Sequence, residues 1–192
     1  MSKFRYLRNT TILVWFLVVV FALFYFFLHP EQFTAVYIAD TLRRYSRYII
    51  ALFLIVSVAR AFVLIPSTPF VLAGVLLMPE TPTTSLIISM LGIAISCTLI
   101  YFFSEALNFR AFFLRHRPDS LHRIARLLRG PSGFFYLVFW SFFPAAPTDL
   151  ACYVAGTIQM PFFRFLTAIC LGELVICSLY VYLGRGLWDF FL

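Results

Sequence analysis

Charged residues are scarce in this chain. They make up 12% of its 192 residues, whereas 62% are apolar. Soluble domains average about 25% charged and about 45–50% apolar residues, so this composition excludes a soluble globular domain and a disordered chain. Twenty-five phenylalanines and ten tyrosines are also more aromatic surface than a soluble protein of 22.2 kDa can bury. The composition indicates an integral membrane protein of a single domain.

Lysine is nearly absent as well. Among the fifteen basic residues only Lys3 is a lysine, and the formal net charge is +7. The arginines cluster between apolar stretches, which is the pattern that the positive-inside rule and anionic lipid headgroups produce. We therefore predict no nucleic-acid partner.

The residue clusters of metal sites and of hydrolases are missing. The four cysteines lie in apolar stretches without a CxxC motif or a nearby histidine, which predicts no metal, no disulfide and no cofactor. All three histidines lie outside the apolar stretches, which excludes the Ser–His pair of an intramembrane protease. Residues 131–133 read Pro-Ser-Gly as in membrane phosphatases, but Phe134 stands where those enzymes need histidine. We therefore predict that the protein is not an enzyme.

Three long apolar stretches are present, and each predicts a transmembrane helix. The first is longer than the apolar region of a signal peptide and no A-x-A cleavage site follows it, so we predict an uncleaved helix with a cytoplasmic N-terminus. The predicted spans are residues 11–28, 85–103 and 162–183.

Two amphipathic segments are predicted to lie in the membrane interface. The first covers residues 31–47, and the second lies in a basic loop, residues 104–133, where Pro118 and Gly130 mark the ends of a helix. We divide the chain into an N-terminal unit, residues 1–44, and a membrane domain, residues 45–192.

Two further apolar segments, residues 48–79 and 134–160, are each interrupted by a P-x-x-P motif. Proline breaks helices, and the pieces are too short to cross a hydrocarbon core of about 30 Å at about 1.5 Å per residue. We predict two re-entrant hairpins, with a merely kinked helix as the alternative. The residues that mark their apices are Pro66, Pro69 and Gly74 in the first and Pro144, Pro147 and Gly156 in the second.

The order of amphipathic helix, hairpin and span occurs twice. With a cytoplasmic N-terminus, the first hairpin enters from outside and the second from the cytoplasm, so the predicted fold is an all-α polytopic membrane protein with an inverted repeat. The basic loop then lies in the cytoplasm, as the charge rule demands. Three arginines are left outside against that rule: Arg43, Arg44 and Arg47.

Polar residues in the apolar segments define a candidate transport site. A helix that starts within the membrane presents free N–H groups that suit a phosphate, and nearby Ser, Thr or Asp side chains are predicted to cap it. An ionisable residue at the bilayer centre costs about 2.5–3.5 kcal/mol, so function or internal pairing is expected. The candidates are Arg60, Ser67, Thr68, Thr148, Asp149, Arg164 and Glu173. The alternatives are snorkelling to the interface for Arg164 and a structural hydrogen bond for Glu173.

Arg60 and Asp149 are predicted to form an ion pair. Arg60 lies six residues before Pro66 and Asp149 five residues after Pro144, so each hairpin contributes one charge of opposite sign. A lipid phosphate that displaces Asp149 would leave its carboxylate unpaired in a low dielectric, where it takes up a proton. The alternative is a purely structural pair.

Taken in order, these motifs resemble the DedA/VTT-domain family of SNARE-associated Golgi proteins over roughly residues 45–185. The residues that carry the resemblance are Arg60, Pro66, Pro69, Ala73-Gly74, Pro144, Pro147, Asp149, Ala155-Gly156, Phe162-Phe163-Arg164-Phe165, Gly172 and Tyr180-Val181-Tyr182-Leu183-Gly184. Many members carry an acidic residue at the position of Phe70 and an arginine at that of Ser141. After the glycine of the last span, where this chain has Glu173, arginine or an apolar residue is usual.

The resemblance implies a flippase or scramblase for a phosphate-bearing lipid, such as a phospholipid or a polyprenyl phosphate. Membrane lipids with anionic or phosphate headgroups would be its partners, in the bacterial inner membrane. The alternative is a non-transporting membrane scaffold or assembly factor. The sequence leaves open the headgroup, the energy source, the transport of protons and the formation of a homo-oligomer.

Overall fold

The computed structural model describes residues 2–144 and 146–191, with side chains described except for residues 2–9, 46, 116 and 184–191. Within these residues the chain is helical and contains no β-strand. The helices are α1 (Ser2–Leu28), α2 (Ala35–Arg43), α3 (Ile49–Phe62), α4 (Thr68–Leu77), α5 (Pro82–Ala106), α6 (Phe109–His116), α7 (Pro118–Arg129), α8 (Gly133–Phe142), α9 (Thr148–Thr157) and α10 (Phe162–Phe191).

Three of these helices contain segments that are long and apolar enough to cross a membrane: Thr10–Leu28, Pro82–Ala106 and Phe162–Leu183. They have 19, 25 and 22 residues, and at about 1.5 Å per residue even the shortest is about 28 Å long. This matches a hydrocarbon core of about 30 Å. The three predicted spans are confirmed as helices, and α5 extends three residues beyond its predicted range at each end.

The chain is interrupted at both P-x-x-P motifs. Residues 63–67 separate α3 from α4, and residues 143–147 separate α8 from α9. In the first break Leu64 has φ 61°, the left-handed conformation that turns the chain away from the path of α3. Each apolar segment is therefore two short helices rather than one continuous helix.

The first amphipathic segment is shorter than predicted and packs on protein. Short 3-10 turns at Pro30–Phe33 and Ser46–Tyr48 flank α2. Its buried face lies against α4, so this face is not available to the membrane interface. The small side chains Ala35 and Ala39 allow close approach. The buried residues of α2 are Ala35, Ile38, Ala39 and Leu42.

The basic loop contains an unpredicted helix, α6, before the predicted one. Asn108 begins α6 in the left-handed conformation, with φ 54°, and its side chain accepts a hydrogen bond from the backbone N–H of Ala111. Helix α7 begins at Pro118 and ends at Arg129, as predicted. Only Leu121 of its apolar face is buried, whereas Ile124 and Leu127 are exposed.

Helix α5 lies at the centre and packs against α3, α4, α9 and α10. Close packing depends on small residues that recur on α5: Ser85, Ser89, Gly92 and Ser96. This arrangement brings the two chain breaks together.

Candidate functional site

A buried ion pair joins the two broken segments. Nη1 of Arg60, in the last turn of α3, lies 2.7 Å from Oδ2 of Asp149, in the first turn of α9. Both side chains are more than nine-tenths buried. Two lone charges at this depth would be costly, and pairing across the breaks removes most of that cost. The predicted ion pair is confirmed.

Arg60 also holds the first break in place. The same Nη1 donates to the carbonyl oxygen of Ile65 at 2.8 Å. The guanidinium carbon lies 5.8 Å from the centre of the Phe70 ring, a cation–π distance. Phe70 therefore attracts the guanidinium through the face of its ring. Nε of Arg60 is buried and has no hydrogen-bond partner among the described residues, so one donor remains available.

The carbonyl oxygen of Phe62, at the end of α3, accepts two hydrogen bonds. Nε1 of Trp15 donates from α1 at 3.2 Å and the hydroxyl of Tyr153 donates from α9 at 3.0 Å. The last carbonyls of a helix have no partner within it, and a membrane offers none. The side chains of two other helices thus stabilise the break, and α1 is attached to it.

Both breaks and α10 enclose a small polar cavity. Its volume is about 10 Å³, which is room for about one water molecule. Hydroxyl groups and the carboxyl group of Glu173 line it, and Glu173 is only 3% exposed. Sγ of Cys177 lies 3.8 Å from Oε2 of Glu173. The polar side chains at the cavity are Ser67, Thr68, Ser141, Thr148, Glu173, Cys177 and Tyr180.

The predicted side-chain caps are wrong. Ser67 occupies the N-cap position of α4, but its backbone is helical and its hydroxyl makes no capping bond. Helix α9 has Pro147 at its N-cap, which places Thr148 already inside the helix and turns Asp149 toward Arg60. The first N–H groups of both helices are therefore not capped by these side chains.

Arg164 lies apart from this site. Its guanidinium donates to the carbonyl oxygens of Arg129 and Pro131 at 3.0 Å each, and also to that of Gly130. Arg129 is the last residue of α7, so its carbonyl has no partner within that helix. The Gly130 carbonyl also accepts a hydrogen bond from the N–H of Gly133 at the start of α8. Arg129 in turn donates to the carbonyl oxygens of Ile158 and, at 2.9 Å, Gln159 at the end of α9. We call these paired contacts the arginine clamp.

Replacing Arg164 with glutamine is expected to destabilise the protein. Hydrogen bonds from a charged donor contribute about 1.5–3 kcal/mol each, and the variant loses the guanidinium that makes three. The melting temperature in detergent should fall clearly below that of wild type. The control is Arg126→Gln, which removes an exposed arginine from α7. Equal melting temperatures for the two variants would contradict the structural role of Arg164.

Sequence reasoning missed four contributors to the site: Trp15, Phe70, Tyr153 and Arg129. All four act through a backbone carbonyl or a ring face, which no spacing rule marks. The only signal for Trp15 in the sequence is its indole N–H. No other aromatic residue in the first apolar stretch before Tyr25 carries a polar group.

The family model for the VTT domain matches residues 65–186, which is more than half of the chain and includes both P-x-x-P motifs. The chain belongs to the VTT-domain family. This is the domain of the DedA and SNARE-associated Golgi proteins, so the predicted family is confirmed. No match was found among curated proteins or among solved structures. Together with the three apolar helices, the match identifies an integral membrane protein.

Within this VTT domain, Ser141 occupies a tightly packed position that accommodates only a small side chain. It is buried, its hydroxyl donates to the carbonyl of Leu137 at 2.6 Å, and its Cβ lies 2.7 Å from where a side chain on Gly172 would begin. A much larger side chain such as arginine would collide with α10 as it is packed, so serine fits the close contact of α8 and α10.

Proposed function

We propose that this VTT-domain protein moves a phosphate-bearing lipid between membrane leaflets. The observation that carries the proposal is the buried Arg60–Asp149 pair, which bridges two chain breaks and leaves Nε of Arg60 without a partner among the described residues. A guanidinium forms two parallel hydrogen bonds with a phosphate, so Arg60 can exchange its carboxylate partner for a lipid headgroup.

The four short helices support a re-entrant arrangement. Helix α3 has 14 residues, and α4, α8 and α9 have 10 each. At about 1.5 Å per residue these helices are about 21 Å and about 15 Å long, less than the hydrocarbon core of about 30 Å. We infer that each pair enters and leaves on the same side and that α5, crossing once between them, gives the pairs opposite orientations.

Matching contacts in the two halves support an inverted repeat. Gly92 of α5 faces Leu54 and Ser57 of α3, and Gly172 of α10 faces Val138 and Ser141 of α8. In each half, the helix before the break thus packs against the spanning helix of that half through a glycine. Inverted repeats place transported ligands near the membrane midplane, at the interface of the halves.

Transport requires the two breaks to separate. The polar cavity between them has a volume of only about 10 Å³ and cannot hold a phosphate group. Hydroxyls of Ser67, Thr68 and Thr148 line it and would replace part of the hydration shell of a headgroup. We infer that this structure is the closed state, and that entry of a phosphate would break the Arg60–Asp149 contact.

A proton would accompany this exchange. Asp149, once displaced, has no second cation within hydrogen-bonding distance among the described residues. A buried carboxylate without a partner is costly unless it is protonated. The lipid phosphate and the proton that Asp149 takes up would then cross the membrane in the same transport step.

The distribution of arginines supports a cytoplasmic N-terminus. Residues 104–133 carry six arginines between α5 and α8, and such loops face the cytoplasm. Helix α1 then runs outward, since α5 must return to that side. Arg43 would lie outside. There its Nη2 donates to the carbonyl of Leu76 at 2.7 Å, which satisfies a backbone acceptor in the last turn of α4.

Reconstitution into liposomes tests the proposal. Fluorescent lipids with different headgroups are followed with a quencher that reaches only the outer leaflet. The protein should accelerate the loss of protected fluorescence for phosphate-bearing lipids above the rate in liposomes that hold an unrelated three-span helical protein. Rates equal to this control for all headgroups would overturn the proposal and favour the membrane scaffold.

A further inference from the structure

A second, much larger cavity lies beside the ion pair. Its volume is about 1030 Å³, at the upper end of the roughly 300–1,000 Å³ typical of ligand pockets. Residues of α1, α6, α7 and α9 form its walls, together with Leu64 of the first break. Tyr153, one turn after Asp149 on α9, lines the cavity and donates its hydroxyl to the carbonyl of Phe62 at the end of α3.

The lining is apolar with a basic end. Aromatic rings form much of the wall, and Trp15 and Tyr153 lie 5.1 Å apart between ring centres. Two cations, Arg115 and Arg117, lie where α6 joins α7. No acidic side chain lines the cavity in the described part of the chain, and neither guanidinium forms an ion pair with a described residue.

The cavity opens sideways along α1. Leu13 and Phe16 line it, are 58% and 56% exposed, and lie within the membrane-crossing segment of α1. A molecule from the bilayer can therefore enter without passing through water. An occupant must be largely apolar to replace water along the walls and anionic at one end to meet two arginines.

We propose that this cavity binds one anionic diacyl phospholipid. Its phosphate contacts Arg115 and Arg117, and its acyl chains pack among the rings of Trp15, Phe109 and Tyr153. A free phosphate would leave the apolar walls unfilled, and an uncharged hydrocarbon would leave the arginines without a partner. The site is separate from the Arg60–Asp149 site, and binding there does not depend on transport.

Native mass spectrometry of the full chain in detergent tests the headgroup contact, with dioleoyl phosphatidylglycerol as the probe. Two arginines near a membrane surface contribute about 1 kcal/mol each, so Arg115→Gln/Arg117→Gln should weaken binding about 30-fold. The matched control is Arg123→Gln/Arg126→Gln, which removes the same charge from α7 outside the cavity. Equal weakening in both variants would indicate attraction to surface charge and overturn the proposal.

A second arm tests the acyl chains. Ala111 lines the cavity and is exposed, so Ala111→Trp should occupy the space of a chain and reduce phosphatidylglycerol binding at least tenfold. Leu127→Trp, on an exposed position outside the cavity, should leave binding unchanged. Unchanged binding in Ala111→Trp, or displacement of the lipid by inorganic phosphate alone, would overturn the proposal.

The fluorescence of Trp15 provides a test that does not depend on the folding of Ala111→Trp. In protein with Trp140→Phe and Trp188→Phe, phosphatidylglycerol brominated in its chains should quench Trp15 more strongly than brominated phosphatidylcholine does. Adding Arg115→Gln/Arg117→Gln should remove this difference. Equal quenching by both lipids in the protein with intact arginines would contradict the proposed site.

Discussion

Replacing Arg60 with methionine is expected to lower the free energy of unfolding by about 3–5 kcal/mol, because Asp149 is then left buried without its ion-pair partner. Asp149→Leu should have an effect of similar size. The double variant Arg60→Met/Asp149→Leu should recover most of the lost stability, since a buried ion pair can be replaced by apolar residues at little net cost. Thermal and denaturant unfolding in detergent measure these differences.

The double variant separates a structural brace from a transport site. It should unfold near the wild-type temperature yet move no phosphate-bearing lipid in the liposome assay, because no guanidinium remains to bind the headgroup. Normal transport by the double variant would show that the pair is only structural. The control is Asp40→Asn, which removes an exposed ion pair with Arg43 and should change stability by less than about 1 kcal/mol.

Asp149→Asn tests the accompanying proton. Asparagine has nearly the shape of aspartate but takes up no proton, so transport by this variant should lose the pH dependence of the wild type. Transport at the normal rate with an unchanged pH profile would disprove the link between Asp149 and a proton.

Gly156→Ala is expected to cause a comparable loss of stability through packing alone. A Cβ at this position of α9 would lie 2.3 Å from the carbonyl oxygen of Tyr101 and 2.1 Å from Oγ of Ser104, both on α5. Overpacking costs about 1–3 kcal/mol, and a backbone carbonyl cannot rotate away, so we expect a loss of about 3 kcal/mol. For a chain of this length, the melting temperature should fall by about 6–12 °C.

Gly92→Ala is the matched control for Gly156→Ala. A Cβ at Gly92 would lie 3.5 Å and 3.6 Å from side-chain atoms of Ser57 and Leu54, which are ordinary contact distances. This variant should melt within a few degrees of wild type. Combining Gly156→Ala with Ser104→Ala should not restore stability, because the Tyr101 carbonyl remains. Full recovery in that combination would show that the serine alone limits the fit.

The sequence contained enough to predict the ion pair and the two breaks. Proline interrupts helices wherever it lies within them, and a lone charge in an apolar segment demands a partner, so Arg60 and Asp149 could be paired before their distance was known. The same logic included Arg164 among the candidates, whereas the structure places its guanidinium at the end of α7, apart from the ion pair. Its partners are backbone carbonyls at the end of α7, and no side chain in the sequence marks them.

The parts that escaped prediction depend on local geometry. Helix α6 begins at Asn108 in a left-handed conformation, and only the resulting side-chain bond to Ala111 makes this start favourable. The large cavity likewise arises because α6 and α7 pack beside α1, which no periodicity in these segments indicates. Predicting the cavity requires the relative placement of helices that are distant in the sequence.

The arginine clamp couples the position of the surface helix α7 to that of the buried helix α9. Arg129 binds the end of α9, and Asp149 lies at the opposite end of that same rigid helix. A tilt of α7 at the membrane surface, caused by lipid charge or curvature, would therefore shift the end of α9 that Arg129 binds. Because α9 is rigid, Asp149 at its other end, about one helix length away, would move with it. The ion pair would then respond to the physical state of the membrane as well as to its ligand.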